Sequence, residues 1–158
     1  MDITIRGGKR MYVGLFLVAV ILLASRAVGA QQFTAAPPPQ PGKALVYVYR
    51  EASMVGKAGY SRIYVNTDFL ATLHSGEYAL REVPAGTVVF TTLPRALPIT
   101  ALGMLTDEQK KKHEKLRLDA ETGKTYYFRW SVGDKMKLVD KATGVKEIRK
   151  THLAKDLE

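Results

Sequence analysis

The chain contains three histidines. His74, His113 and His152 stand in separate segments, and none has a second histidine or a carboxylate at the helical or hairpin spacing that zinc ligands adopt. No metal or cofactor is expected. Acid–base catalysis by carboxylates needs two carboxyl groups converging on one pocket, but Asp107-Glu108, Asp119 with Glu121, and Glu77 with Glu82 all fall in polar segments that read as solvated. A nucleophile elbow is absent, and Gly56-Lys57-Ala58-Gly59 is too short and generic for a phosphate-binding loop. The sequence has no cysteine, so no thiolate can act as nucleophile, metal ligand or lipid attachment point. No catalytic residue is therefore expected and the chain is read as non-enzymatic. The alternative is a hydrolase whose site is assembled from residues distant in sequence.

Binding chemistry has more material. Lys110-Lys111-Lys112, with Lys115 and Arg117, is the densest positive cluster, and such a cluster can meet anionic lipid headgroups or envelope polymers. Asp107, Glu108 and Glu114 dilute it. A second group lies in Thr125 to Val132, where Tyr126, Phe128, Trp130 and Val132 alternate with Thr125, Tyr127, Arg129 and Ser131. The first set reads as a core face with Trp130 buried. On the other face Tyr127 and Arg129 could join Tyr47, Tyr49 or Tyr64 in a polar-aromatic surface for a sugar or a protein, or could simply form cross-strand pairs. The candidate binding surface is thus Lys110, Lys111, Lys112, Tyr127 and Arg129.

Short strands must position these residues. Ala44 to Arg50 is apolar on both alternating faces, as a central strand is. Tyr60 to Asn66 puts Ile63 and Val65 on one face and Arg62 and Tyr64 on the other; Asn66-Thr67-Asp68 turns the chain into Phe69 to Leu73, a hairpin. Strands over Glu77 to Val83 and Thr87 to Thr92 are separated by Pro84-Ala85-Gly86. Thr106 to Gln109 has the form of a helix capping box. With no apolar residue between Leu105 and Leu116, however, that helix has no face to bury. Leu116 and Leu118 alternate with charged residues, and the turn Glu121-Thr122-Gly123 predicts a hairpin with the strand that begins at Lys124. Met136 to Val139 extends the meander, and Thr143 to Leu153 is loosely helical. The expected fold is all-β: a small antiparallel β-sandwich of about seven strands, immunoglobulin-like or transthyretin-like, with one or two short helices.

At the start of the chain Arg6, Lys9 and Arg10 precede an uncharged apolar run from Met11 to Ala24, and Val28 and Ala30 have the spacing that signal peptidase accepts. Residues 1–30 read as a signal peptide cleaved before Gln31. Fourteen residues rise only about 21 Å as a helix against a bilayer core of roughly 30 Å; the alternative is a single-pass inner-membrane anchor through residues 11–30. Removing the signal lowers the formal charge from +9 to +6, with 20 basic and 14 acidic residues left. Such an excess favours anionic partners without choosing among them. Residues 31–42, with four prolines between Pro37 and Pro41, read as a linker, and 43–158 as one domain.

Three stretches carry a resemblance: Pro41 to Arg50; Ile63-Tyr64-Val65-Asn66 followed by Leu73-x-x-Gly76-x-Tyr78; and Gly123 to Phe128. In this order and spacing, over roughly Pro41 to Val139, the chain resembles a bacterial family of exported proteins, domain of unknown function 2846. The resemblance implies an envelope-associated β-sandwich and no activity. Many members look like lipoproteins with a cysteine at the cleavage site, where this chain has Ala30-Gln31. The resulting expectation is a non-catalytic module of the periplasm or cell envelope that binds an envelope protein or an anionic polymer, with peripheral membrane contact allowed and no nucleic-acid partner.

Overall fold

The computed structural model describes residues 33–54, 59–94, 96–131 and 135–155. The expected signal peptide and its cleavage site lie outside the described residues. In chain order the elements are β1 (Lys43–Arg50), β2 (Ser61–Val65), β3 (Asp68–Leu73), β4 (Glu77–Pro84), β5 (Gly86–Leu93), α1 (Ala101–Met104), α2 (Asp107–His113), β6 (Glu114–Ala120), β7 (Thr125–Ser131), β8 (Lys135–Val139), α3 (Lys141–Ile148) and β9 (His152–Leu153). The described residues thus hold nine strands and three helices. About seven strands and one or two helices were expected; the two-residue β9 and four-residue α1 are too short to leave a periodic signal.

The strands form two sheets, in the orders β8-β7-β1-β4-β9 and β3-β2-β5-β6. β1 sits at the middle of the first. Ala44, Val46 and Val48 share one apolar core with Ile63 and Val65 of β2, Val88 and Phe90 of β5, and Phe128 and Trp130 of β7, so the core joins inward-facing residues of both sheets. The indole of Trp130 is 2 % exposed, and its Nε1 donates to Ser61 Oγ at 2.9 Å, which satisfies the one polar atom the ring brings into the interior.

The first sheet is mixed, which corrects the expectation of purely antiparallel pairing. β1 runs parallel to β7, with Leu45 opposite Thr125 and Arg50 opposite Trp130, and β4 runs parallel to β9. Every residue from Ala44 to Arg50 is buried, and a strand covered on both faces suits parallel neighbours.

A second correction concerns β6 and β7, which do not form a hairpin. β6 pairs antiparallel with β5 in the second sheet, while β7 pairs with β1 and β8 in the first. The turn between them carries the chain across. Gly123, with φ of 77°, donates its N–H to Lys43 O at 2.8 Å, and Leu45 donates to Lys124 O at 2.9 Å, so the turn docks on the start of β1 and leads β7 in beside it.

The proline-rich segment read as a linker is packed on the outer face of the first sheet. The Phe33 ring meets Tyr47 and Tyr78 edge-on at 5.7 and 5.6 Å. Ala36 N donates to Tyr47 Oη at 2.8 Å, and Gln40 N donates to Glu82 Oε1 at 2.9 Å. Proline lacks an N–H for a strand ladder, so side chains do the holding. Among the described residues no helix is long and apolar enough to cross a membrane.

Candidate functional site

The candidate residues separate onto the two sheets. Tyr127 and Arg129 belong to β7, and their side of the first sheet is covered by α3. Tyr127 is 3 % exposed, and its ring stacks on Tyr47 at 5.1 Å with the planes 2° apart. Arg129 Nη1 donates to Glu147 Oε1 of α3 at 2.9 Å and lies 3.7 Å from Glu51 Oε2. Tyr49, 0 % exposed, donates its phenol to Glu147 Oε2 at 2.5 Å. Burial first, then the hydrogen bond and charge of Glu147, push the Tyr49 phenol well above its usual titration range.

The expected polar-aromatic surface is therefore an interior contact between a sheet and a helix. Tyr64, also proposed for it, lies in the other sheet, where it packs with Leu93, Ala101 and Leu102 and donates its hydroxyl to Ile99 O at 2.8 Å. Cross-strand and cross-layer packing accounts for all of these tyrosines.

The lysine cluster has a different setting. α2 is capped by Thr106, whose Oγ1 accepts from Gln109 N at 3.3 Å while Gln109 Oε1 accepts from Thr106 N at 2.9 Å, both halves of a capping box. No residue of α2 is buried. It stands beside the outer face of the second sheet, and a cleft of about 470 Å³ opens between it and the β2–β3 turn. Val89, Thr91 and Leu102 contribute to its lining, together with Asn66 and Thr67 from the turn and Lys110, Lys111 and Arg117 from α2 and β6.

Two hydrogen bonds tie the turn to β5 beside this cleft. Asn66 adopts the left-handed region with φ of 57°, its N–H donates to Val89 O at 2.7 Å, and its Oδ1 accepts from Val89 N at 3.0 Å. Asparagine tolerates that conformation better than most residues.

Acidic residues partly offset the cations, and two of them, Asp107 and Glu114, line the cleft as well. Lys110 lies 3.3 Å from Asp107, Lys112 lies 3.9 Å from Glu108, and Arg117 grips both oxygens of Glu114 at 3.1 and 2.8 Å. Pairs this exposed contribute about 0–1 kcal/mol each. Lys111 forms no ion pair among the described residues. Of the three adjacent lysines, Lys110 and Lys111 line the cleft and Lys112 does not.

Two further features escaped the sequence. A second cleft of about 530 Å³ lies on the other side of α1, where Phe69, Asp68, Arg81 and Thr100 contribute to its lining. Nothing in the alternation of β3 or β4 signals it, because α1 creates it. Secondly, β9 places His152 opposite Glu77, with Nε2 3.5 Å from Glu77 Oε1, and His74 donates its backbone N–H to Glu77 Oε2 at 2.8 Å. The side chains of His74, Glu77 and His152 border a cleft of about 310 Å³. His74 and His152 are far apart in sequence, so only the β4–β9 pairing reveals their proximity. Among the described residues no group of three or more potential ligands is placed to hold a metal ion.

In comparison with known proteins, the family described as Protein of unknown function (DUF2846) matches residues 40–144. No curated protein and no solved structure matches the chain.

Proposed function

The chain belongs to the DUF2846 family of proteins of unknown function, and on that premise we propose that it is an exported, non-catalytic module of the cell envelope that acts by holding an anionic envelope component. The observation that carries this reading is the convergence of Lys110, Lys111 and Arg117 on one cleft with Thr67 and Asn66, where the three cations outnumber the carboxylates of Asp107 and Glu114. Charge brings an anionic partner in, and fixed polar groups beside the charge orient it. The export half of the reading is supported by the basic start and short apolar run of residues 1–30. The finer fold that accompanies it is an immunoglobulin-like or transthyretin-like sandwich, supported by the core that the two sheets share.

The test is retention of the protein on immobilised bacterial envelope fragments at two salt concentrations. Retention should fall as salt rises beyond the level at which the Debye length is about 8 Å. Replacing Lys110, Lys111 and Lys112 together by glutamine should weaken retention at low salt and leave the unfolding midpoint unchanged, since α2 buries nothing. Salt-insensitive retention unaffected by the triple substitution would overturn the proposal.

A further inference from the structure

The two clefts on the outer face of the second sheet adjoin: Thr67 lines both, and α1 stands between them, giving Leu102 to one and Thr100 and Gly103 to the other. An occupant passing Thr67 would reach from the cations beside α2 to Phe69. Each cleft alone falls within the roughly 300–1,000 Å³ that ligand sites occupy. The site thus offers an extended path with different chemistry at its ends.

At one end Lys110, Lys111 and Arg117 outnumber Asp107 and Glu114 in the lining, and Lys111, with no ion pair among the described residues, leads a group that suits carboxylate or phosphate. At the other a half-buried phenyl ring, held edge-on to Tyr64 at 5.6 Å, stands with Asp68 and with Arg81, whose Nη2 donates to Phe69 O at 2.8 Å, so that an apolar ring is flanked by a carboxylate and a guanidinium. The C–H face of a sugar ring and its hydroxyl groups need that combination. Over β2 and β5, interior strands each paired on both sides while β3 and β6 form the edges of the sheet, an occupant meets side chains and no free backbone edge. Recognition must come from side chains.

We propose that this double cleft takes an acidic polysaccharide, with one sugar ring against Phe69 and the acidic group of a neighbouring sugar between Lys110, Lys111 and Arg117. The inference rests on the anionic association proposed above and specifies its ligand class.

The experiment measures binding of the protein, as the cell processes it, to a polygalacturonate oligomer, to a neutral dextran oligomer and to phosphatidylglycerol vesicles. Polygalacturonate should bind and dextran should not. Phe69→Leu keeps apolar contact with Tyr64 but removes the aromatic face, and should weaken polygalacturonate binding about two- to tenfold. Asp68→Asn, at an exposed position, is a second variant of that end which leaves the packing alone and should also weaken binding. Lys110→Gln with Lys111→Gln should weaken it and flatten its salt dependence. If the lysine pair matters while Phe69→Leu and Asp68→Asn do nothing, the polysaccharide inference is wrong and plain anionic association stands. Vesicle binding that exceeds polygalacturonate binding and falls in the lysine variant would replace the polysaccharide with a lipid surface. Binding to none of the probes, with no salt-sensitive retention on envelope fragments, would sink both readings.

Discussion

Replacing Gly144 by alanine tests how α3 is held against the first sheet. A Cβ at this position would stand 2.5 Å from both Cβ and Cγ of Tyr127 and 2.8 Å from Cδ1, well inside the roughly 3.5 Å at which carbon atoms pack. Tyr127 has little room to retreat, since its ring stacks on Tyr47 and its Cβ is fixed to an interior strand. The helix must lift instead, loosening Ile148, which is 0 % exposed and packs with Tyr47, Tyr49 and Tyr127. Overpacking of this kind costs about 1–3 kcal/mol, and contact with a Cβ, not with a flexible tip, puts the cost near the upper end. Alanine returns about 0.8–1.0 kcal/mol of helix propensity, so the net loss should be about 2 kcal/mol. Gly103 in α1 provides the matched control. A Cβ there meets nothing within 4 Å, so Gly103→Ala should gain up to about 1 kcal/mol. Urea unfolding followed by Trp130 fluorescence reads both. With a slope of about 1–3 kcal/mol per molar urea, Gly144→Ala should lower the midpoint by about 1 M. A midpoint equal to or above the parent's for Gly144→Ala, with Gly103→Ala behaving as expected, would refute the close approach of α3 to β7.

Other outcomes follow from burial. Trp130→Ala should cost about 3–5 kcal/mol, and a loss below about 1 kcal/mol would contradict its place in the shared core. The phenols of Tyr49, Tyr64, Tyr78 and Tyr127 are all raised above their usual 10.0, chiefly by burial. The unfolded chain releases these protons at about pH 10 while the folded chain keeps them, so their stabilisation is full below about pH 10 and is lost as pH rises further. Urea midpoints measured across that range should fall, and fall less steeply in Tyr49→Phe; a flat profile would contradict the phenols' burial.

The parts of the fold that could be read from the sequence are those where neighbouring residues decide. The two-sided apolar pattern of Ala44 to Arg50 marks a central strand, Asn66-Thr67 marks the β2–β3 turn, and Thr106 with Gln109 marks the start of α2. Sheet membership was harder. A turn at Glu121-Thr122-Gly123 between two strand-like segments has the same local form whether the strands pair or part. The signal lay in their faces: β6 has inward Leu116 and Leu118 but exposed Arg117 and Asp119, whereas β7 has buried Tyr127 and Phe128 on opposite faces. A strand covered on one side fits the edge of a sheet, and one covered on both fits beside β1. The α3 helix was visible only loosely, because Gly144 occupies the position where an apolar residue would have completed the pattern.

The candidate surface was half legible for a related reason. Side-chain chemistry identifies what a face could bind, but cover decides whether it is a surface at all, and cover comes from elsewhere in the chain. On the first sheet α3 and residues 33–36 lie over the tyrosines, and the cover supplies partners for their hydroxyl groups: Tyr47 accepts from Ala36 N and Tyr49 donates to Glu147. A ligand reaching Tyr127 would have to displace packed apolar area and leave those polar groups unpaired, each at about 1–3 kcal/mol. On the second sheet the cover is the four-residue α1 and a helix that buries nothing. There a partner can reach Thr67, Lys110 and Lys111 without breaking a contact of the core. Two faces with similar alternation along their strands therefore differ in what binding would cost, and the cheaper one carries the lysines.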